Sequence, residues 1–315
     1  MSKQPGRRPA PKRRPQARKG RTVVAAHSAG KRSDRTSWII AAVVIAIGVA
    51  LVFVFAGSSH SGTNTNVWFK GDKPAPASLV AQVTGVPAST ISKVGKGSVT
   101  DLPLKLPATS PLKAADGKPR IIYMGAEYCP FCGAERWGIL NALSRFGTFK
   151  NVQITDSAQT TPTGVAETDP DTPTFSFHGA TYSSPYIQFE TVEQEDNSYR
   201  TLETPTKEQG TLESTYDAPP YVSGTGSIPF IDFANEYMIS GASYDPTVLA
   251  NKTHAQAAAA LADPTSAISQ GAVGTANTIT ATICKVTNDT PANVCTIPAI
   301  KSIEAELPTT VVKQS

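Results

Sequence analysis

Two cysteines separated by two residues, Cys129 and Cys132, are the side chains whose type and spacing point most directly to chemistry. A thiolate attacks disulfide bonds, and a second thiol three residues further along can close a small disulfide ring with the first. The pair therefore predicts thiol–disulfide exchange through a mixed disulfide. We expect Cys129 to be the exposed nucleophile and Cys132 the more shielded resolving thiol. This chemistry needs no cofactor, and the sequence predicts none.

The segments on either side of the pair favour the same reaction. Residues 120–125 form a short apolar run that is typical of a buried strand, and apolar side chains recur at helical spacing after the pair, as at Ile139 and Leu143. Pro130 suits the first turn of that helix because proline has no N–H group to leave unpaired. A cysteine just before a helix lies where unpaired N–H groups and the helix dipole favour an anion, which lowers the thiol pKa.

Two other interpretations of the pair stay open. A C-x-x-C sequence is half of many zinc sites, but the remaining cysteines, Cys284 and Cys295, are eleven residues apart and do not form a second one. His178 and His254 also lack ligand-like spacing, so we expect no metal. An inert structural disulfide within the pair is the second alternative, although a position between a strand and a helix is unusual for one.

Cys284 and Cys295 are expected to form a structural disulfide. The first falls in a predicted helix over about residues 275–286, and the second follows a turn at 288–291. In an oxidising compartment such a pair fastens a helix to the C-terminal segment, and closing so short a loop contributes about 3 kcal/mol. A second redox pair that relays electrons to the C-x-x-C pair is the alternative.

The charges of the chain are distributed unevenly. The formal net charge is +4, yet residues 1–37 contain twelve Lys and Arg and one Asp, while the rest contains 17 basic and 24 acidic residues. A basic arm rich in Pro and Gly thus precedes an acidic body, which argues against a basic nucleic-acid-binding domain. We expect the arm to be disordered, to orient the chain in a membrane and to attract anionic lipid, with no specific nucleic-acid partner.

Residues 38–56 are 19 consecutive residues without a charged or strongly polar side chain. As a helix they would reach roughly 28 Å, close to the thickness of the hydrocarbon core of a bilayer. The basic arm places the N-terminus in the cytoplasm and everything after about residue 57 outside. The sequence therefore predicts a single-pass protein of the cell membrane that contacts the bilayer through residues 38–56. A cleaved signal peptide is the alternative, although its apolar stretch is usually about 7–15 residues.

The run from Ile121 to Phe146 resembles the active-site segment of the thioredoxin superfamily. Residues 126–129 read Ala-Glu-Tyr-Cys, which is similar to the Ala-Glu-Trp-Cys of that superfamily. The dipeptide Pro130-Phe131 is closer to its disulfide-bond-forming and glutaredoxin-like branches. The resemblance implies an α/β, thioredoxin-like fold, preceded here by the transmembrane helix.

The superfamily also implies a cis-proline that faces the cysteines and precedes an antiparallel strand pair. Pro229 fits this position, because residues 228–241 read as a strand, a turn at 234–236 and a second strand. Pro229 would leave the backbone of Ile228 free to pair with an extended substrate segment. An ordinary strand-initiating proline is the alternative.

Two departures from the superfamily pattern are visible. Tyr123 stands six residues before the nucleophile, where thioredoxin has a buried acid that takes up protons. Glu127 is nearer, but we expect it to be exposed. The spacing from Cys132 to Pro229 is also much longer than in a minimal thioredoxin fold, so residues 156–227 are predicted to be an insertion.

The predicted insertion follows a strand at 151–155 and contains a polar stretch at 205–216 that suits a crossover helix. It can form a lid or a substrate groove lined by Tyr182, Tyr186 and Phe189. The same aromatic side chains can instead pack the insertion, and we prefer this interpretation.

The extracytoplasmic part more specifically resembles a family of membrane-anchored proteins described as domain of unknown function 929. The similarity rests on EYCPFCGAERWGILNALSRFGTF, on TFSFHGATYSSPYIQF and on a late pair of cysteines, and it covers roughly residues 67–305. The family implies an architecture and no established activity. The predicted segments are a linker (57–66), a lead-in that packs on the main domain (67–119), the thioredoxin-like domain (120–263) and a C-terminal helical segment (264–315).

These features predict a membrane-anchored, extracytoplasmic thiol–disulfide oxidoreductase that acts on exported proteins and has a redox partner in the membrane or envelope. A non-catalytic thioredoxin-like binding or assembly module of the cell envelope, with structural disulfides, is the alternative. Replacing Cys129 by serine distinguishes the two, since it abolishes the first function and lowers only stability in the second. The sequence contains no serine-hydrolase elbow, phosphate-binding loop or zinc-protease helix.

Overall fold

The computed structural model describes residues 72–107 and 110–311. The predicted basic arm (1–37), membrane span (38–56) and linker (57–66) lie outside these ranges. Within the described part, no helix is both long enough and apolar enough to cross a bilayer.

Short strands and helices alternate along the described chain. The strands are β1 (Lys73–Pro74), β2 (Leu104–Lys105), β3 (Arg120–Gly125), β4 (Thr148–Lys150), β5 (Gln153–Asp156), β6 (Pro173–Ser176), β7 (Thr181–Ser183), β8 (Gln188–Glu193), β9 (Phe230–Phe233) and β10 (Tyr237–Ser240). The α-helices are α1 (Ala77–Thr84), α2 (Ala88–Val94), α3 (Pro130–Leu143), α4 (Lys207–Tyr216), α5 (His254–Ala260), α6 (Gly274–Val286), α7 (Ala292–Cys295) and α8 (Pro298–Glu306).

The strand that precedes the cysteines lies inside the largest sheet. Among the described residues this sheet has five strands, in the order β2-β10-β9-β3-β8. Strand β3 pairs parallel with β8, so that Tyr123 lies opposite Thr191, and antiparallel with β9, so that Ile122 lies opposite Asp232. Strands β9 and β10 form the expected antiparallel hairpin. The architecture is a mixed α/β fold.

Two features of strand pairing were not predicted from the sequence. Strand β8 lies within residues 156–227, the range predicted as an insertion, yet it is the parallel neighbour of β3. Strand β5, close to the strand predicted at 151–155, pairs with β1 and β6 in a separate sheet. Alternating apolar side chains identify a strand but not its partner, because pairing depends on segments that are far apart in the sequence.

Successive side chains of β3 point into two different cores. Tyr123 shares one core with Leu143 of α3, and Ile122 shares another with Tyr216 of α4. Helix α4 is the predicted crossover helix, and a reciprocal pair of hydrogen bonds between Thr206 and Gln209 fixes its start. The two helices therefore cover opposite faces of the sheet.

Helix α3 is buried along almost its whole length. Gly138 lets α6 approach it closely, because a Cβ at this position would lie 2.5 Å from Cγ2 of Thr275. Helix α6 carries Cys284, which forms the predicted disulfide with Cys295. The C-terminal helices thus support the helix that carries the C-x-x-C pair.

Residues 72–107 pack on another side of α3. Leu79 and Val83 of α1 share a core with Trp137. The side-chain amide of Asn141 also donates a hydrogen bond to the carbonyl oxygen of Val83 at 2.5 Å. The segment before β3 therefore also supports α3.

Candidate active site

Cys129 is the N-cap residue of α3, whose first helical residue is Pro130. Its sulfur accepts a hydrogen bond from the N–H group of Cys132 at 3.3 Å. Hydrogen bonding with the Cys132 side chain, helped by that N–H group and by the charge of Arg136, lowers the pKa of the Cys129 thiol against the opposing effect of burial. The start of the helix therefore favours the thiolate at Cys129, as its position in the sequence predicts.

Cys129 is less accessible than expected. Its exposed fraction is 6%, against 0% for Cys132, so Cys132 is the more shielded of the two, as predicted. The prediction that Cys129 is exposed is wrong. The reason is tertiary, since the backbone of Ile228, far away in the sequence, lies against the sulfur. Phe131, between the two cysteines, is 43% exposed.

The peptide bond between Ile228 and Pro229 is cis, as predicted. The carbonyl oxygen of Ile228 accepts a hydrogen bond from the thiol of Cys129, with 3.8 Å between oxygen and sulfur. The N–H group of Gly241 donates to the carbonyl oxygen of Pro229 at 2.8 Å and so ties the proline to the end of the β9–β10 hairpin. The sheet topology thus brings the proline segment to the cysteine.

A buried ion pair lies one helical turn beyond Cys132. Arg136 donates through Nε and Nη2 to the two carboxylate oxygens of Glu193, at 2.9 and 2.6 Å, and both side chains are 0% exposed. Nη2 also donates to the carbonyl oxygen of Ala126 at 2.7 Å. The pair links α3 to β8. Sequence reasoning missed Arg136, although residues four apart lie on one face of a helix.

Glu127 is fully buried, and the expectation of an exposed side chain is wrong. The hydroxyl group of Ser176, on β6, donates a hydrogen bond to its carboxyl group. Burial, and then the neighbouring carboxylate of Asp72, raise the pKa of Glu127 to about 8. Strand β6 and the segment before β1 cover this position, and the sequence near Glu127 contains no sign of either contact.

A cavity of about 270 Å³ opens beside the segment that leads into Cys129. Its lining includes Tyr128, Glu195, Glu213 and Ile228. The ring of Tyr128 stacks on that of Tyr199 with 4.1 Å between the centroids. The cavity therefore borders the backbone that the sequence predicts to pair with an extended substrate segment.

The aromatic residues considered for a groove are partly buried and pack against the core, in agreement with the preferred interpretation. The hydroxyl group of Tyr182 donates to the carbonyl oxygen of Leu143 at 2.9 Å. Its ring centroid lies 5.8 Å from that of Phe189. Tyr186 is partly buried against the same core.

The two histidines within the described residues are engaged elsewhere, and no group of three or more candidate metal ligands occurs in this part of the chain. Nδ1 of His178 forms a hydrogen bond with Glu203 at 2.8 Å. Nε2 of His254 lies 3.0 and 2.8 Å from the backbone carbonyl oxygens of Thr155 and Thr174. The four cysteines divide into one pair of free thiols and one disulfide.

Neither a curated protein nor a solved structure matches this chain. The model of the family described as Domain of unknown function (DUF929) matches residues 108–223. This stretch includes both cysteines of the C-x-x-C pair and Arg136 with Glu193, and it ends before Pro229. Across the segment that carries these groups, the chain is therefore similar to the family described as Domain of unknown function (DUF929).

Proposed function

We propose that this protein is a thiol–disulfide oxidoreductase whose reactive group is the dithiol of Cys129 and Cys132. One observation carries the proposal: the sulfur of Cys129 lies at the start of α3 and 3.8 Å from the carbonyl oxygen of Ile228, next to the cis bond to Pro229. The first position favours the thiolate, and the second puts a backbone edge for a substrate beside it. An inert disulfide needs neither.

The arrangement of elements supports a thioredoxin-like fold. Strand β3 leads into the C-x-x-C pair and α3, β8 returns parallel to β3, and α4 connects β8 to the hairpin that begins after the cis-proline. In this proposal β8 belongs to the common core of the fold. The additional part of the chain is then the region of β4 to β7.

The proposed exchange has two steps. The Cys129 thiolate attacks one sulfur of a substrate disulfide, which forms a mixed disulfide and releases the other substrate sulfur as a thiolate. Cys132 then loses its proton and attacks the sulfur of Cys129, which releases the second substrate thiol. Two electrons have passed to the substrate, and the two cysteines form a disulfide. In the reverse direction, the oxidised pair donates its disulfide to a reduced substrate.

We also propose that this reaction takes place outside the cytoplasm, on a chain anchored in the cell membrane. The support is the apolar span 38–56 after a strongly basic arm, which orients the following residues outward. The substrates would be the thiols and disulfides of exported proteins. A redox partner in the membrane or envelope would restore the pair after each reaction.

The test follows both cysteine pairs of the purified full chain in graded glutathione buffers, with mass spectrometry of alkylated peptides. We expect Cys129 and Cys132 to exchange rapidly, to transfer their disulfide to a reduced, unfolded protein, and to stop doing so in Cys129→Ser. We expect Cys284 and Cys295 to stay oxidised. If both pairs resist reduction, the proposal is wrong and the non-catalytic binding module replaces it.

A further inference from the structure

Two polar groups near Cys132 are buried without a hydrogen-bond partner. They are the hydroxyl group of Tyr123, on β3, and the Nη1 group of Arg136, on α3. Both side chains are 0% exposed. Burying an unpaired polar group is unfavourable, and two unpaired donors at one place are unusual in a folded protein. Arg136 lies one helical turn beyond Cys132, and the hydroxyl group of Tyr123 lies close to the sulfur of that cysteine, so the resolving thiol offers a physical reason for both.

Gly125 shows how closely the hydroxyl group of Tyr123 approaches the resolving thiol. A Cβ atom on Gly125 would lie 2.2 Å from that hydroxyl group and 3.1 Å from the sulfur of Cys132. The oxygen and the sulfur therefore border the same small space, and a residue with a Cβ atom would fill it. The guanidinium carbon of Arg136 lies 5.8 Å from the centre of the Tyr123 ring.

We infer that Tyr123 and Arg136 are positioning residues for the resolving thiol, whose unpaired O–H and N–H groups stabilise the Cys132 thiolate as it forms. The inference rests on the proposed function, because it concerns the second step of exchange. In that step Cys132 loses its proton, its sulfur bonds to Cys129, and the bond from Cys129 to the substrate sulfur breaks. The leaving thiolate takes up a proton, so the protons balance. Tyr123 and Arg136 keep theirs.

The groups that face Cys132 belong to several elements. Burial, and then the neighbouring Cys129, raise the pKa of the Cys132 thiol, while the charge of Arg136 acts in the opposite direction. Tyr123 faces the sulfur from β3, and Glu193 of β8 holds the guanidinium group in place. A thiolate at a position without solvent needs donors from the protein, and these two side chains supply them.

The experiment measures the reactions of Cys129 and Cys132 as two successive kinetic phases. The reduced full chain is mixed with the chromogenic disulfide dithiobis(nitrobenzoate), and the release of coloured thiolate is followed by stopped flow between about pH 6 and pH 11. This range extends above the ordinary thiol pKa because burial raises the pKa of Cys132. The first phase reports the attack by Cys129, and the second reports resolution by Cys132. Each phase gives its own rate and its own pH profile.

The diagnostic variant is Tyr123→Phe, which removes only the hydroxyl group. Because that group has no partner within the fold, its loss should not destabilise the protein. We expect the pH midpoint of the second phase to rise by about one unit. At neutral pH that phase should slow about threefold, because the tenfold smaller thiolate fraction is partly offset by greater nucleophilicity. The first phase should stay unchanged. Arg136→Lys, which keeps the charge, should slow the same phase.

The matched control is Tyr244→Phe. Tyr244 is a buried tyrosine whose hydroxyl group donates to the carbonyl oxygen of Ala134, elsewhere on α3, and its removal should leave both phases unchanged. An unchanged second phase in Tyr123→Phe, or equal slowing of both phases, would overturn the inference. If the wild-type chain shows no first phase, the proposed function fails instead.

Discussion

The two cysteine pairs of this protein are both buried, yet one is a free dithiol and the other a disulfide. Cys129 caps the start of α3, and Cys132 lies one turn before an arginine that is fully buried. Cys284 lies within α6 and Cys295 at the end of α7, in the same apolar core as Ile300.

Burial alone therefore does not set the reactivity of a sulfur in this protein. Inside a helix the N–H groups are already bonded to carbonyl oxygens, so no donor is left to stabilise a thiolate at Cys284. At the N-cap, the N–H group of Cys132 is still available and bonds to the sulfur of Cys129. A buried charge and backbone N–H groups around Cys129 and Cys132 stabilise a thiolate. The apolar core around Cys284 and Cys295 does not.

The largest expected effect is on exchange itself. Cys129→Ser should lower the rate of disulfide exchange by about 1,000-fold or more, because the variant lacks the attacking thiolate. The double variant Cys284→Ala with Cys295→Ala should keep the wild-type rate at a temperature where it is folded. Comparable losses in the two variants would remove the distinction between the pairs.

The ion pair behind the free dithiol provides the next comparison. Arg136→Met should lower the free energy of unfolding by about 3–5 kcal/mol, because it leaves the carboxylate of Glu193 buried without a partner. Urea unfolding measures the loss. Lys96→Met breaks the exposed pair with Glu306 and is the control, with an expected loss below about 1 kcal/mol. Similar losses in the two variants would mean that burial does not increase the cost of breaking the Arg136–Glu193 ion pair.

Removing the C-terminal disulfide should affect stability without affecting chemistry. The double variant Cys284→Ala with Cys295→Ala should lose about 3 kcal/mol of unfolding free energy, because the eleven-residue separation closes a short loop. The matched double variant Cys129→Ala with Cys132→Ala removes two free thiols and no crosslink, so its loss should be smaller. Urea unfolding in a glutathione buffer that keeps Cys129 and Cys132 reduced, and Cys284 and Cys295 oxidised, compares them. A larger loss in the second variant would contradict the structural role of the Cys284–Cys295 disulfide.

The smallest effect expected is the pH dependence contributed by Glu127. Burial raises the pKa of Glu127 from its ordinary value of 4.5 to about 8 in the folded chain, so between these values the folded chain holds a proton that the unfolded chain has lost. This contribution therefore makes the protein less stable as pH rises through that window. Glu127→Gln, which cannot ionise, should remove the decline and gain roughly 1–3 kcal/mol over the wild type near pH 9.

Urea unfolding at a series of pH values measures this difference. Glu306→Gln changes a half-exposed carboxylate in the same way and serves as the control, because it should leave the pH slope close to that of the wild type. A slope that Glu127→Gln does not alter would show that the buried carboxyl group carries no such proton.

Much of the candidate site followed from local sequence. The position of Cys129 before a helix and the proline at the start of that helix were predicted from neighbours within a few residues. The cis bond before Pro229 was predicted from the resemblance to the thioredoxin superfamily. The burial of Glu127 was not predicted, because Ser176 and Asp72 reach it from distant segments.

Sequence alone thus determined which segments form strands and helices near the cysteines, because apolar periodicity and helix-start preferences are written in consecutive residues. It did not determine that β8, inside a predicted insertion, pairs with β3, or that Arg136 and Glu193 meet behind Cys132. Only the tertiary structure decided these features. These features depend on contacts between residues that are far apart in the sequence. This is true of the strand partners, of the buried ion pair and of the burial of the Glu127 carboxyl group.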